Sequence, residues 1–318
     1  MFTIIVEEAM KVVIPGGTGH LGTLLARGLS ASGHEIALVT RRPGPGQWRE
    51  VSWDGLAGEI DGSDIVINLA GRSVNCRYNA TNRREILDSR VVTTRAVGDA
   101  IANARVPPRV WIQASTATIY SHRFDAPNDE LTGQLGGQEP DAPETWRFSI
   151  DVATAWEGAA NEIATPRTRK VLMRTAIVMS PGRGGTFDLL YRLVRFGLGG
   201  PAAGGRQFVS WIHGADFVAA VRWLIGSTLE GAVNIASPEP LPYRDFIGRL
   251  REAAGIPVGL PATRWMLEAG AFALRTETEL ILKSRRVMPR RLLDAGFVFQ
   301  FPSWPDACID LVAKIRDA

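Results

Sequence analysis

Cysteine is almost absent from this 318-residue chain: only Cys76 and Cys308 occur, and neither has a CxxC partner. That excludes a disulfide framework or a cysteine zinc site and suits a reducing compartment. Long apolar runs are missing too. No uncharged stretch reaches bilayer length, and the opening MFTIIVEEAM lacks the basic start and long apolar core of a signal peptide. The expectation is a cytoplasmic protein without membrane contact, with residues 1 to 9 as an extension ahead of the fold. Charge of one sign is scarce as well: 36 basic against 33 acidic residues leave +3, too little to argue for a nucleic-acid partner. The one basic cluster, KSRRVMPRR at 283 to 291, follows the helix-like ETELIL and reads as a solvated helix end, with an anionic ligand or partner as the alternative. Repeats and low-complexity tracts do not occur. At 45% hydrophobic and 22% charged, the chain belongs to the ordinary globular class.

From Lys11 the chain reads KVVIPGGTGHLGTLLARGLSASGHEIALVTRRP. A short β-branched run meets a glycine turn, Leu21, Leu24, Leu25 and Leu29 recur at helical spacing until Gly33, and EIALV follows as a buried strand. This is a βαβ unit. Gly16, Gly19 and Gly22 stand at G-x-x-G-x-x-G spacing where strand becomes helix, so bared N–H groups and the positive helix end can approach a pyrophosphate. Gly17, Thr18, His20 and Leu21 complete that turn, with His20 read as flanking the dinucleotide. A dinucleotide site selective for NAD places an acid about 20 residues beyond the glycines. Here the chain has Thr40, Arg41 and Arg42, which points to the 2′-phosphate of NADP.

DIVINLAG (64–71), VWIQAST (110–116) and KVLMRTAIV (170–178) read as further strands, with helical segments NRREILDSRVVTTRAVGDAI and ETWRFSIDVATAWEGAANEI between them. Alternating strands and helices predict an α/β, Rossmann-type doubly wound parallel sheet with ligands at the carboxyl ends of its strands. A smaller, mainly helical C-terminal substrate lobe completes the expected fold. The Rossmann part is expected over 10–178, with 207–236 returning to it; 179–206 and 237–318 form the lobe.

PGGTGHLG, VTRRP, VSWDG, VINLAG, EILDSR, WEGAA, FGLGGPAAGGRQFVSWIHGADF and RRVMPRRLLDAGFVFQFP together resemble an atypical, epimerase-like family of the extended short-chain dehydrogenase/reductase superfamily. The match runs in order from about residue 11 to the end, and its GLGGP, SWIHGADF and V-x-P-x-x-L-x-x-AGF elements are the specific ones. The resemblance implies an NADP-binding Rossmann domain with a smaller C-terminal region. It implies cofactor contacts at the glycine turn and at Thr40 and Arg41. Leu69, Ala70 and Gly71 would lie under the dinucleotide, Glu85 and Arg90 would come from the next helix, and Val178 would sit near the nicotinamide. Trp53 and Asp54 would border the adenine unless Trp53 is core.

In the wider superfamily a tyrosine moves the substrate's proton, and a lysine four residues on lowers the tyrosine pKa. Aligned through WEGAA, those positions are Phe148 and Val152; phenylalanine has no proton to give and valine no charge to tune one. ASTATIY at 114 to 120 resembles the S-S-A-T-V-Y stretch of nucleotide-sugar epimerases, which implies Thr116 as the hydroxyl that orients a substrate oxygen. Tyr120 would point toward the cleft from the following loop. Thr116 and Tyr120 are therefore the catalytic candidates, with local backbone satisfaction as the alternative.

Beyond Val178, Arg183, Arg206, Trp211 and His213 are candidate cleft residues, with His213 reading more readily as a cap than as a proton source. The aromatic positions of RWMLEAGAFAL at 264 to 274 suit a core or a face between copies of the chain. Two functional readings stand. One is an NADP-dependent oxidoreductase or epimerase-like enzyme acting on a small hydroxyl, carbonyl or nucleotide-sugar-like substrate. The other is a catalytically silent NADPH sensor.

Overall fold

A computed structural model describes residues 8–139, 143–182, 184–263, 265–267 and 279–317. Arg183 and most of RWMLEAGAFAL lie outside them. Strands β1 (Lys11–Pro15), β2 (Glu35–Val39), β3 (Arg49–Val51), β4 (Ile65–Asn68), β5 (Val110–Thr116), β6 (Arg169–Thr175) and β10 (Gly231–Ile235) form one sheet. Their order is β10-β6-β5-β4-β1-β2-β3, and every neighbouring pair is parallel. The order reverses between β1 and β4, and the crevice of a doubly wound sheet forms at such a switch point.

Strand alternation sorts the core into two layers. Val12, Ile14, Ile36, Leu38, Ile65, Ile67 and Ile112 face one side, where helices α1 (His20–Ser30) and α6 (Gly214–Gly226) bury Leu25, Leu29, Phe217 and Leu224 on them. Val13, Ala37, Val39, Val66, Trp111 and Leu172 face the other. That side is covered by α2 (Leu56–Ile60), α3 (Ala80–Asn103) and α4 (Glu144–Asn161). A sheet buried on both faces is why its strands read as unbroken apolar runs.

The segment after β6 departs from expectation. KVLMRTAIV is two strands, because the chain leaves the sheet after Thr175; β7 (Ile177–Met179) then pairs with β9 (Trp211–His213) in a separate parallel ladder. β8 (Phe208–Val209) pairs with β11 (Leu241–Pro242). Of 207–236, therefore, β10 rejoins the main sheet and α6 covers it, while FVSWIH builds small sheets of its own. A second core joins α5 (Thr186–Arg195), α7 (Tyr243–Ala254) and the C-terminal helix Trp304–Arg316 around Trp211, Phe246, Trp304 and Leu311. Trp211 is fully buried there, edge-on to Trp304, and is not a cleft residue. Among the described residues no helix is long and apolar enough to cross a membrane.

The glycine turn packs by backbone alone. A Cβ on Gly22 would lie 2.3 Å from the Gly17 carbonyl oxygen, whereas one on Gly158, in α4, would meet nothing within 4 Å. Gly22→Ala is expected to cost about 1–3 kcal/mol through forced displacement of the turn. Gly158→Ala is expected to stabilise by roughly 0.5–1 kcal/mol through helix propensity. Paired urea titrations check the opposite signs.

Candidate functional site

The crevice begins where the first strand ends. Gly16 has φ +75°, and a Cβ there would lie 2.6 Å from Ala70 Cα and 2.7 Å from Ala70 N. A side chain would therefore separate the turn from the end of β4. Gly16 N–H donates to Val39 O and Gly17 N–H to Ile14 O, which leaves Thr18, Gly19 and His20 at the exposed lip. Gly19 caps α1 without a side-chain acceptor, so the N–H groups of the first turn face the crevice, with the positive helix end behind them. These features fit a diphosphate: the cradle is made of main chain, and Cβ atoms would fill it. His20 is fixed at its edge by a 2.7 Å bond between Nε2 and Ser180 Oγ, and it packs against Gly182 and Gly185.

At the outer end Thr40 N–H donates to Val51 O, and Arg41 and Arg42 are exposed beside it. β3, which the sequence reading did not include, supplies that acceptor. Trp53 packs on the α2/α3 core layer. Leu69 is half-buried on the sheet, and Ala70 N–H bonds Asn68 Oδ1. Glu85 is exposed and ion-paired with Arg72.

Arg90 joins the crevice to a cavity of about 210 Å³ at the ends of β5 and β6. Its side chain lies 3.3 Å from where a Gly71 Cβ would be and 4.9 Å from the Trp156 ring, and Nη1 donates to Arg72 O and Ile86 O. Burial pulls this guanidinium down to about 10, against the favourable influence of Tyr78. It stays cationic at neutral pH, and no carboxylate pairs with it among the described residues.

Thr116, Ala117 and Thr118 form one wall of the cavity, and Thr175, Ala176 and Ile177 another. Thr116 Oγ1 accepts the Thr118 N–H at 3.2 Å, so its hydroxyl proton remains available to the cavity. Helix α4 contributes Phe148, Ser149, Val152 and Trp156. Phe148, at the position where the resemblance implies a tyrosine in the wider superfamily, packs edge-on to Tyr78 at 5.0 Å.

Three sequence expectations change. Tyr120 does not reach this cavity: its side chain is buried, its hydroxyl donates to Asn234 Oδ1 at 3.0 Å, and it accepts from Arg174 Nη1 at 3.0 Å. Burial foremost raises the phenol's pKa. Tyr120 instead belongs to a network in which Arg174 grips Glu157 through two 2.8 Å bonds and Ser115 donates to Glu157 Oε1 at 2.5 Å. Val178 faces the core, and its neighbour Ile177 reaches the cavity; the end of β6 at Thr175 and the start of β7 at Ile177 shift the register. The basic cluster is not a solvated helix end. Lys283 is 0% exposed on its side chain and Arg285 7%. Lys283 Nζ donates to Thr118 O at 2.8 Å, and Arg285 Nε donates to Thr118 Oγ1 at 3.2 Å. Arg285 and Glu279 line the cavity.

His213 is the cap of α6. Its Nδ1 accepts the Ala215 N–H and its Nε2 meets Asp310 Oδ2, both at 3.0 Å, so Nε2 carries the proton. Burial lowers its pKa despite Asp310. Arg206 is exposed on a different cavity. Among the described residues no cluster of His, Cys, Asp and Glu could hold a metal ion.

Residues 12–236 match the NAD dependent epimerase/dehydratase family, and 262–311 match a domain of unknown function, DUF1731. The chain is 32% identical over 309 residues to the human epimerase family protein SDR39U1, covering 96% of this chain and all of that one. It is 28% identical to the epimerase family protein YfhF of Bacillus subtilis, over 96% and 98% of the two chains. The crystal structure of human SDR39U1 (isoform 2) with NADPH superposes with a TM-score of 0.84 at 31% identity, covering 96% and 99%. A nucleoside-diphosphate sugar epimerase from Corynebacterium glutamicum superposes at 0.75 with 25% identity, over 96% of this chain and 59% of that one.

The Tyr120 network is expected to be structural. Tyr120→Phe should lower unfolding free energy by about 1–2 kcal/mol through lost hydrogen bonds. Glu157→Gln should lower it by roughly 3–5 kcal/mol because Arg174 keeps a buried charge without its counterion. Denaturant titration of both variants gives the ranking.

Proposed function

The chain belongs to the NAD dependent epimerase/dehydratase family, and from that premise we propose an NADP(H)-dependent oxidoreductase or epimerase-like enzyme acting on a small hydroxyl or carbonyl compound. The observation that carries the proposal is the continuity at Arg90, which lies over Gly71 in the crevice and lines the cavity holding Thr116. A dinucleotide laid along the glycine turn would carry its diphosphate past Gly16–Gly22 and its 2′-phosphate toward Arg41 and Arg42. The same axis leads to the cavity. The NADPH in the human relative's structure supports the same cofactor here. When bound, that cofactor supplies the hydride.

The remaining steps belong to the protein. Thr116 offers a hydrogen bond from its hydroxyl to the substrate oxygen and so fixes the carbonyl's orientation, which is the larger part of what hydride transfer needs. Arg90 faces phosphate or ribose oxygens with charge-assisted bonds. Phe148, Val152 and Trp156 exclude water from the reacting centre. At about 210 Å³ the cavity is smaller than the 300–1,000 Å³ roughly typical of sites for drug-sized ligands, which favours a small compound over a whole nucleotide sugar.

The rival reading, a silent NADPH sensor, draws on Phe148 and Val152, which offer no proton. Isothermal titration with NADPH and NADH, followed by a panel of small ketones, aldehydes and alcohols, separates the two. The expected outcome is at least about tenfold tighter binding of NADPH, reduced toward parity in Arg41→Ala, as suits one partly exposed charge-assisted contact. Turnover should fall about tenfold or more in Thr116→Val. Equal affinity for both cofactors in both proteins overturns the NADP assignment. Tight NADPH binding with no turnover across the panel favours the sensor.

A further inference from the structure

The absent tyrosine and lysine leave the oxidoreductase reading without a proton source, and this inference rests on that reading. Three groups stand in line behind the α4 wall. Ser149, the residue after Phe148, lines the cavity, and its hydroxyl donates to Glu279 Oε2 at 2.5 Å. Glu279 is buried, and its other oxygen, Oε1, has no hydrogen-bond partner among the described residues. Lys283 Nζ lies 3.8 Å from that oxygen, and Arg285 Nη2 lies at the same distance. Lys283 also lines a second cavity of about 200 Å³ on the far side, bounded by Gly137, Glu139, Trp146 and the exposed Arg147.

We propose that Ser149, Glu279 and Lys283 form a proton relay that joins the substrate cavity to the second cavity and takes over the work of the missing tyrosine–lysine pair. In the alcohol-oxidising direction the substrate hydroxyl gives its proton to Ser149 Oγ as the C–H electron pair leaves for the dinucleotide. Ser149 passes its own proton to the Glu279 carboxylate at Oε2, and rotation of that carboxyl group carries the same proton across the 3.8 Å gap to neutral Lys283. The carbinol has lost two electrons and two hydrogens: the cofactor holds the hydride and Lys283 the proton. Carbonyl reduction runs the same transfers backward, and Lys283 is recharged through the second cavity.

The drawn geometry is the oxidising one, because Ser149 already donates toward Glu279 and keeps its lone pairs for a substrate hydroxyl. Lys283 suits the terminal position because burial, then Arg285, pull its ammonium down to about 8 against Glu279 and Glu139. The charged and titratable groups around it are Glu279 and Arg285 from its own segment, and His122, Glu139 and Arg147 from elements packed against it. His122 is lowered by burial and by Lys283, so it is neutral where Lys283 titrates. Glu139 is held by the N–H groups of His122 and Gly137, and therefore sets a field without exchanging the relay's proton.

The test uses the full chain with the panel above, supplied with NADPH for the carbonyls and NADP+ for the alcohols. The chain has four lysines, Lys11, Lys170, Lys283 and Lys314, so ¹³C-lysine labelling resolves Lys283 by its loss in Lys283→Arg. A titration near 8, moved lower in Glu279→Gln, is expected. Carbonyl reduction should decline as pH rises through about 8 and alcohol oxidation should climb. Ser149→Ala and Glu279→Gln should each lower kcat by about a hundredfold with cofactor affinity unchanged, the size of a lost acid–base step. Lys283→Arg keeps the charge but holds its proton, so the limb near 8 should vanish. Ser149→Thr should restore activity. Lys283 titrating near the ordinary lysine value, or turnover surviving Ser149→Ala and Glu279→Gln, overturns the relay alone. No turnover by the wild type at any pH overturns the oxidoreductase reading and the relay together.

Discussion

The approach of two backbones at the sheet's switch point governs the rest of this molecule. The turn after β1 lies against the end of β4 so closely that a Cβ at Gly16 would overlap Ala70. β1 and β4 are neighbours whose following helices go to opposite faces. A gap must therefore open between those helices, and the only groups able to line its floor are main-chain ones. Glycine at three positions is the sequence's answer to that geometry. Once the floor is fixed, the ends of β5 and β6 fall one and two strand spacings further along, which is where the cavity lies.

A second constraint comes from the C-terminal region. Lysine and arginine are rarely buried in full, and an isolated buried charge is expensive. Lys283 and Arg285 meet that cost by bonding Thr118 and facing Glu279. Main-chain bonds secure the segment: Arg285 N–H to Phe208 O, Ser210 Oγ to Arg285 O, and Asn128 N–H to Arg286 O. The short turn that carries Thr118 is thus held from behind by a segment about 165 residues later in sequence. The region matching a domain of unknown function, 262–311, is part of the cavity wall.

How much of this was legible follows from what periodicity can encode. Strands buried on both faces and amphipathic helices have a period, so β1, β2, β4, β5 and the long helices were readable, as was the glycine turn with its arginines. β3 is three residues, REV, half-exposed at the sheet edge, and carries no period. The division of KVLMRTAIV has no marker in composition, because Ala176 continues the apolar run while its N–H turns to Ile235 O. That one unreadable bend moved the cavity residue from Val178 to Ile177. Tyr120 was misplaced because a phenol next to a cleft and a phenol in a buried network look alike in sequence; only Arg174 and Asn234 distinguish them. KSRRVMPRR was misread for a statistical reason, since most such clusters are solvated. The available signal was Glu279 four residues before Lys283, a spacing that pairs charges on one helix face.

The apolar wall at Phe148 and Val152 changes where, on the proposed reading, control over the chemistry resides. With a tyrosine and lysine on α4, the proton donor would be built into the nucleotide-binding domain and present in every conformation of the lobe. Here α4 offers Ser149 as its polar group in the cavity, and the carboxylate that Ser149 meets comes from the C-terminal segment. An apolar surround lowers the local dielectric and strengthens the remaining electrostatic contacts. It also makes the Ser149–Glu279 contact sensitive to displacement, because the apolar faces of Phe148, Val152 and Trp156 offer Ser149 no substitute partner. On the proposed relay, the cofactor cradle and the proton path belong to different parts of the chain, so the first can form before the second. The proposed separation of hydride site from proton site would follow from two apolar residues on α4 and a strap of buried charges in and after the short helix Glu279–Leu282.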